Sequence, residues 1–224
     1  MCGRYTLTKP SKTIQSHFAP VRVRMEIKER YNIAPSQELP AVVFQEGHRE
    51  LLPMRWGLIP PWAREGKTVS AFINAKAETL HEKPSFKNSF REKRCLVPAD
   101  GFMEWGKTPA GKTPYYLFLK SHELFAFAGI WSMWKEGGTP RLTYSIITTQ
   151  PNSLVQSIHH RMPVILAPRD YGTWLNPESK QDVLRSLLVP FPSDSMDMYE
   201  ISKEINSPKN DRAECLRPLS SGTR

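Results

Sequence analysis

No stretch of 18 apolar residues occurs anywhere in the 224-residue chain, which excludes a membrane-spanning helix of ordinary length. The first residues carry no charged patch leading into an apolar run, so nothing reads as a signal peptide. Cysteine is scarce and odd in number. Cys2, Cys95 and Cys215 lie at no metal-type spacing, so neither a disulfide framework nor a zinc knuckle is supported. Reduced thiols are expected, with a cytoplasmic location, or a nuclear one in a nucleated cell. Internal repeats are absent, and low complexity is confined to 220–224, read as a disordered end. No third ligand stands at a telling interval from the adjacent His159 and His160, so no metal is expected. Nothing in the chain calls for a cofactor.

Negative charge is also in short supply. Asp and Glu number 22 against 31 Lys and Arg, a formal net charge of +9. Such an excess favours polyanions through counterion release, although a surface tuned for solubility has the same composition. At this length the chain fits one large domain or two small ones. No linker divides it, so a single domain over 1–219 is expected; the chain is also expected to be a monomer.

Twenty prolines cut the chain into short pieces. Segments 3–8, 41–45, 51–56, 95–98, 115–120, 124–131 and 142–149 are rich in β-branched and aromatic residues and read as strands. Segments 10–18, 83–91, 152–159, 168–175 and 178–188 carry apolar residues at helical spacing, several behind a Ser, Asn or Pro start signal. Strands follow strands more often than they alternate with helices. The expectation is therefore an α+β fold: mainly antiparallel sheets in a partly closed barrel, with peripheral helices.

A start methionine followed by so small a residue as Cys2 is normally removed, which would make Cys2 the first residue. It would then carry a thiol and an α-amine on adjacent carbons, a pair that condenses with an aldehyde and closes to a thiazolidine. The amine is usable at neutral pH, because its pKa is roughly 7.7–8.0 against about 10.4 for lysine. Cys2 is equally compatible with a tolerated small residue after the initiator.

Four polar clusters stand out. In Ser70-Ala71-Phe72-Ile73-Asn74-Ala75-Lys76-Ala77-Glu78-Thr79, Asn74 either orients a nucleophile or caps the next helix. In Pro98-Ala99-Asp100-Gly101-Phe102-Met103-Glu104-Trp105, Glu104 sits on a short strand. Pointing inward it is a proton donor or acceptor with a pKa raised by burial; pointing outward it is a surface carboxylate. In Ile158-His159-His160-Arg161-Met162-Pro163, a histidine can serve as general acid for a departing oxygen or simply complement a helix end. On an extended stretch the two histidines would point to opposite faces. Finally, Arg55-Trp56-Gly57-Leu58-Ile59-Pro60-Pro61-Trp62-Ala63-Arg64 mixes arginines and tryptophans, which suits the phosphates and bases of a single strand. Tryptophans also fill cores.

Taken together and in this order, the motifs are specific. Met1-Cys2-Gly3-Arg4-Tyr5, Arg30-Tyr31-Asn32-Ile33-Ala34-Pro35, Trp56-Gly57-Leu58-Ile59-Pro60, Ile73-Asn74-Ala75-Lys76-Ala77-Glu78-Thr79, Gly101-Phe102-Met103-Glu104-Trp105 and His159-His160-Arg161-Met162-Pro163 resemble the SOS response-associated peptidase (SRAP) family from Cys2 to about Leu219. Members of that family act as abasic-site processing proteins on single-stranded DNA.

The resemblance implies roles residue by residue. Cys2 matches the crosslinking cysteine, exposed once Met1 is gone, and Asn74 the asparagine that positions its amine. Glu104 matches the proton-transfer carboxylate, and His159, rather than His160, the catalytic histidine. Arg4 and Lys76 match phosphate contacts, with lysine where members usually have arginine; the charge is kept and the bidentate fork lost. A basic groove lined by Arg4, Trp56, Trp62, Lys76 and Arg161 is expected to hold the strand, with abasic single-stranded DNA as partner and nucleoid association when bound. The implied activity is covalent capture of the abasic aldehyde as a thiazolidine, with Schiff-base, lyase-type chemistry in the response to DNA damage. Glu104-assisted reversal and self-removal of the residue ahead of Cys2 accompany it. Two other classes stay open: a thiol peptidase using Cys2 and His159, and a noncovalent nucleic-acid-binding module.

Overall fold

The computed structural model describes residues 2–63, 71–109 and 111–219. Met1, Arg64, Ser70 and the 220–224 end lie outside the described residues. In chain order the first strands are β1 (Arg4–Leu7), β2 (Val21–Val23), β3 (Arg30–Ile33), β4 (Glu38–Gln45), β5 (His48–Trp56), β6 (Asn74–Lys76) and β7 (Arg94–Ala99). They are followed by β8 (Gly101–Thr108), β9 (Gly111–Leu119), β10 (Phe125–Glu136), β11 (Thr139–Thr149), β12 (Met162–Pro163), β13 (Ile165–Leu166) and β14 (Met196–Glu200).

Five of these strands close a barrel. The antiparallel run β11-β10-β7-β4-β5 returns on itself because β5 pairs β11 in parallel, with Arg55 beside Thr143 and Trp56 beside Tyr144. The ring is thus complete, where the sequence suggested partial closure. Gly57 turns the chain out of this seam at φ +127, a backbone region that favours glycine, and its N–H donates to the Tyr144 carbonyl at 2.8 Å. All six residues of β7 and five consecutive residues of β4 are buried. Covered on both faces, these strands read in the sequence as continuous apolar runs, not as alternations.

A second antiparallel sheet, ordered β14-β9-β8-β1-β3, lies against the barrel. Tyr5 of β1 joins the two layers: its ring meets Trp56 at 5.1 Å and Phe127 at 5.8 Å, both edge-on, and its hydroxyl lies 2.8 Å from that of Tyr144. Each such aromatic contact contributes about 0.5–1.5 kcal/mol beyond its buried area.

The helices, α1 (Ser11–His17), α2 (Lys87–Glu92), α3 (Ser153–Gln156), α4 (Tyr171–Leu175) and α5 (Gln181–Ser186), are shorter than their apolar spacing suggested and too short to stand alone. Packing and end contacts hold them. Buried Arg94 donates to the carbonyls of Phe90 and Arg91 at the end of α2 and of Trp174 and Asn176 at the end of α4. One cation thereby satisfies two helix C-termini. Asn152 caps α3 by accepting from the Val155 N–H at 2.9 Å.

Candidate active site

The parallel seam continues past the end of β5. There β6 lies beside β11, with Asn74 against Ile146 and Lys76 against Thr148, while β12 flanks the other edge, with Pro163 against Thr148 and Met162 against Thr149. The last residues of β11 therefore hold the Asn74 segment and the segment after His159 on either side. Asn74 belongs to this strand and caps no helix; Lys76 precedes the following 3-10 turn (Ala77–Thr79). From β6 the Asn74 Nδ2 donates to the Cys2 carbonyl at 2.9 Å, while among the described residues its buried Oδ1 has no hydrogen-bond partner. Along β1 and β8 the register sets Arg4 opposite Met103 and Tyr5 opposite Phe102, which runs Glu104 toward the start of β1. Glu104 is the inward-pointing carboxylate of the two alternatives, 3% exposed.

A half-buried ion pair clamps the two flanking segments together. Arg161 forks onto Glu78, Nη1 to Oε1 at 2.6 Å and Nη2 to Oε2 at 2.9 Å, and Nη2 also reaches the Thr148 carbonyl. The clamp bridges β6 to the His159 turn across the end of β11. These hydrogen bonds hold the Glu78 carboxyl below the usual carboxylate range.

The backbone of Arg161 also orients the imidazole. His159 Nδ1 lies 3.0 Å from both the Arg161 N–H and the Arg161 carbonyl. As the Nε2–H tautomer the ring accepts from the N–H at Nδ1; with Nδ1 protonated it donates to the carbonyl. Both protonation states keep a partner, and this suits a group that takes up and returns a proton. His160 does not point to the opposite face. Residues 157–160 form a turn, not a strand, and the two rings stack at 4.4 Å with the exposed His160 outermost. The neighbouring His159 charge lowers the pKa of His160.

Cys2 is fully buried in the chain that still carries Met1. Burial first, and the Glu104 carboxylate second, push its thiol far above the ordinary range, while the α-amino terminus and the Arg4 carbonyl, 3.7 Å from Sγ, pull the other way. The thiol is therefore protonated near neutrality. A cysteine peptidase needs a depressed thiol pKa, and in the chain that carries Met1 the Cys2 thiol is shifted the other way.

The expected strand-binding residues divide. Trp56 is 0% exposed, with its Nε1 donating to the Ile73 carbonyl. It belongs to the core because it seals the barrel seam, and it has no face to offer a base. Arg161, 6% exposed, spends its guanidinium on Glu78 and Thr148 and offers little surface to a strand. Lys76 is exposed beside the clamp, and half-buried Arg4 donates to the Gly3 and Asn206 carbonyls. Trp62 is 65% exposed and lines a separate cleft with Pro84, Asn88 and Lys93. Glu78 went unassigned in the sequence although it lies in the Asn74 motif, four residues on from Asn74. Asn206, whose carbonyl accepts from Arg4 and whose Oδ1 accepts from Trp105 Nε1 at 2.8 Å, carries no sequence signal.

Comparison with known proteins shows the family. The family model described as SOS response associated peptidase (SRAP) matches residues 1–208. The abasic site processing protein YoqW of Bacillus subtilis (strain 168) is 44% identical over 221 residues, covering 96% of this chain and 99% of the relative. The abasic site processing protein HMCES of Gallus gallus is 32% identical, covering 86% of this chain and 67% of the relative. A crystal structure of a Bacteroides thetaiotaomicron protein superposes with a TM-score of 0.87 at 30% identity, covering 97% of this chain and all of that one.

Proposed function

This chain belongs to the SOS response-associated peptidase family, and we propose that it processes abasic sites in single-stranded DNA by covalent capture at Cys2 once Met1 is removed. The observation that carries the reading is the Asn74 side chain. Its Nδ2 holds the Cys2 carbonyl, and its unpartnered Oδ1 offers an acceptor beside the same residue. An α-amine that donates one N–H to that oxygen keeps its lone pair for an aldehyde.

The chemistry follows from the protonation states. The amine attacks first, adding to the ring-opened deoxyribose aldehyde to give a carbinolamine. His159 donates a proton to the departing oxygen, water leaves, and a Schiff base remains. The Cys2 sulfur then adds to the imine carbon, with its proton passing to the nitrogen through Glu104. The net change is aldehyde plus aminothiol to thiazolidine plus one water. Ring closure matters because an open Schiff base hydrolyses and also permits elimination of the 3′ phosphate, which breaks the strand. Glu104 can return a proton to the ring nitrogen and so allow slow reversal. Peptidase activity in this reading extends no further than removal of the residue ahead of Cys2, and the setting is the response to DNA damage.

The test is to incubate trimmed protein with abasic single-stranded DNA and examine it by denaturing electrophoresis and intact mass. An adduct at the summed mass less one water is expected. DNA that is released on denaturation would leave a noncovalent binding module, and cleavage of a general protein substrate without DNA attachment would leave a thiol peptidase.

A further inference from the structure

Beside His159 the surface opens into a cleft of about 730 Å³ that no step above uses. One wall is the β8–β9 hairpin with Trp105, Lys107 and Lys112; the other is the end of α3 with Gln156 and the turn after it with His159 and His160. Gly106 lets the walls meet, since a Cβ there would sit 2.9 Å from the Tyr115 ring and 3.0 Å from Ile158. Two features give the cleft a chemical preference. Lys107 and Lys112 are direct cross-strand partners, an arrangement of like charges that weakens a hairpin, and among the described residues neither is in an ion pair. Among the described residues no carboxylate lines the cleft, and its basic wall runs toward the two histidines. Trp105, the residue after Glu104, presents a half-buried ring fixed by its bond to Asn206.

We infer that this cleft is a binding subsite for the phosphodiester backbone flanking the lesion on one side, with Lys107 and Lys112 contacting successive phosphates and the Trp105 ring supporting the adjoining sugar or base. An anion between the lysines relieves their mutual repulsion, and the shared wall at His159 continues directly from the lesion. The assignment rests on the capture reading for its direction along the strand, but its first test does not depend on capture.

That test measures equilibrium binding of an undamaged single-stranded oligonucleotide across a salt series for the parent, for Lys107→Gln/Lys112→Gln, and for Lys12→Gln/Lys87→Gln as a charge-matched control elsewhere on the surface. Each single-strand phosphate contact contributes about 0.7 to the slope of log affinity against log salt, so the cleft variant should lose about 1.4 of slope and bind about tenfold more weakly at low salt. The control should keep the parental slope. An unchanged slope in the cleft variant, or an equal loss in the control, overturns the subsite even if crosslinks form normally; a slope lost only in the cleft variant upholds it even if no crosslink ever forms. With abasic strands shortened on one flank, parental binding should fall for one truncation and not the other, and a fall for neither also overturns it.

Discussion

Replacing Glu78 by Gln is the most informative perturbation of the site, because it alters no group that would touch DNA. In the parent the Arg161 side chain is 7% exposed and that of Glu78 43% exposed, joined by contacts of 2.6 and 2.9 Å. Breaking a fully buried pair costs about 3–5 kcal/mol. Water reaches the Glu78 side, and Gln keeps one acceptor for Arg161, so the expected loss of stability is smaller, about 1–2 kcal/mol. The effect on rate should be larger. The clamp fixes β6 against the His159 turn, and misplacing reacting groups by about 1 Å costs on the order of a hundredfold. Crosslinking by Glu78→Gln, followed in single turnovers on abasic DNA, should slow about 10- to 100-fold in a protein that still melts cooperatively. Arg161→Lys should show the same pattern, since lysine cannot make the fork.

The pH dependence separates this account from a general loss of fold. The folded pKa of Glu78 lies below its ordinary value, so its contribution is present above the unfolded carboxylate pKa and disappears as pH falls through the folded one. Parent and Glu78→Gln should therefore differ in melting temperature near neutrality and converge in acid. A variant that crosslinks at the parental rate would refute the positioning argument, and a stability gap that persists in acid would refute its electrostatic basis.

The strands that wrap the barrel were legible because burial on both faces leaves an unmistakable signal; 95–98 falls within β7, and 124–131 falls within β10 but for its first residue. Strands of two or three residues, such as β6 and β12, were not. Their conformation comes from the edge of β11, so no periodicity of their own announces them. The same cause explains Asn74, whose local sequence suits a cap while its strand partner places it otherwise. Which tryptophan lies outside could not be read from Trp56 and Trp62 either, since both share one Pro-Gly segment and only closure of the β5–β11 seam distinguishes them. The candidate site was legible in its residue types. Its clamp was not, because Glu78 and Arg161 are 83 positions apart and each alone looks like a surface charge.

Three further outcomes bear on the remaining groups. Trp56→Ala should lose about 3–5 kcal/mol in chemical denaturation, whereas Trp62→Ala should leave stability within about 0.5 kcal/mol; the reverse order would contradict the burial of the seam. Cys2→Ser keeps an α-amine able to form a Schiff base but cannot close the sulfur ring, so on abasic strands it should cleave DNA without remaining attached, and a stable adduct would show that sulfur is dispensable. Reversal depends on returning a proton to the ring nitrogen. Glu104 is the buried carboxylate near enough to Cys2 to raise its thiol pKa, so transfer of a preformed crosslink to excess competing abasic DNA should be slower in Glu104→Gln. Gln has nearly the same shape and cannot carry the proton, so equal exchange rates would move reversal away from this carboxylate and leave His159, whose Nδ1 is partnered in either protonation state, as the group to substitute next.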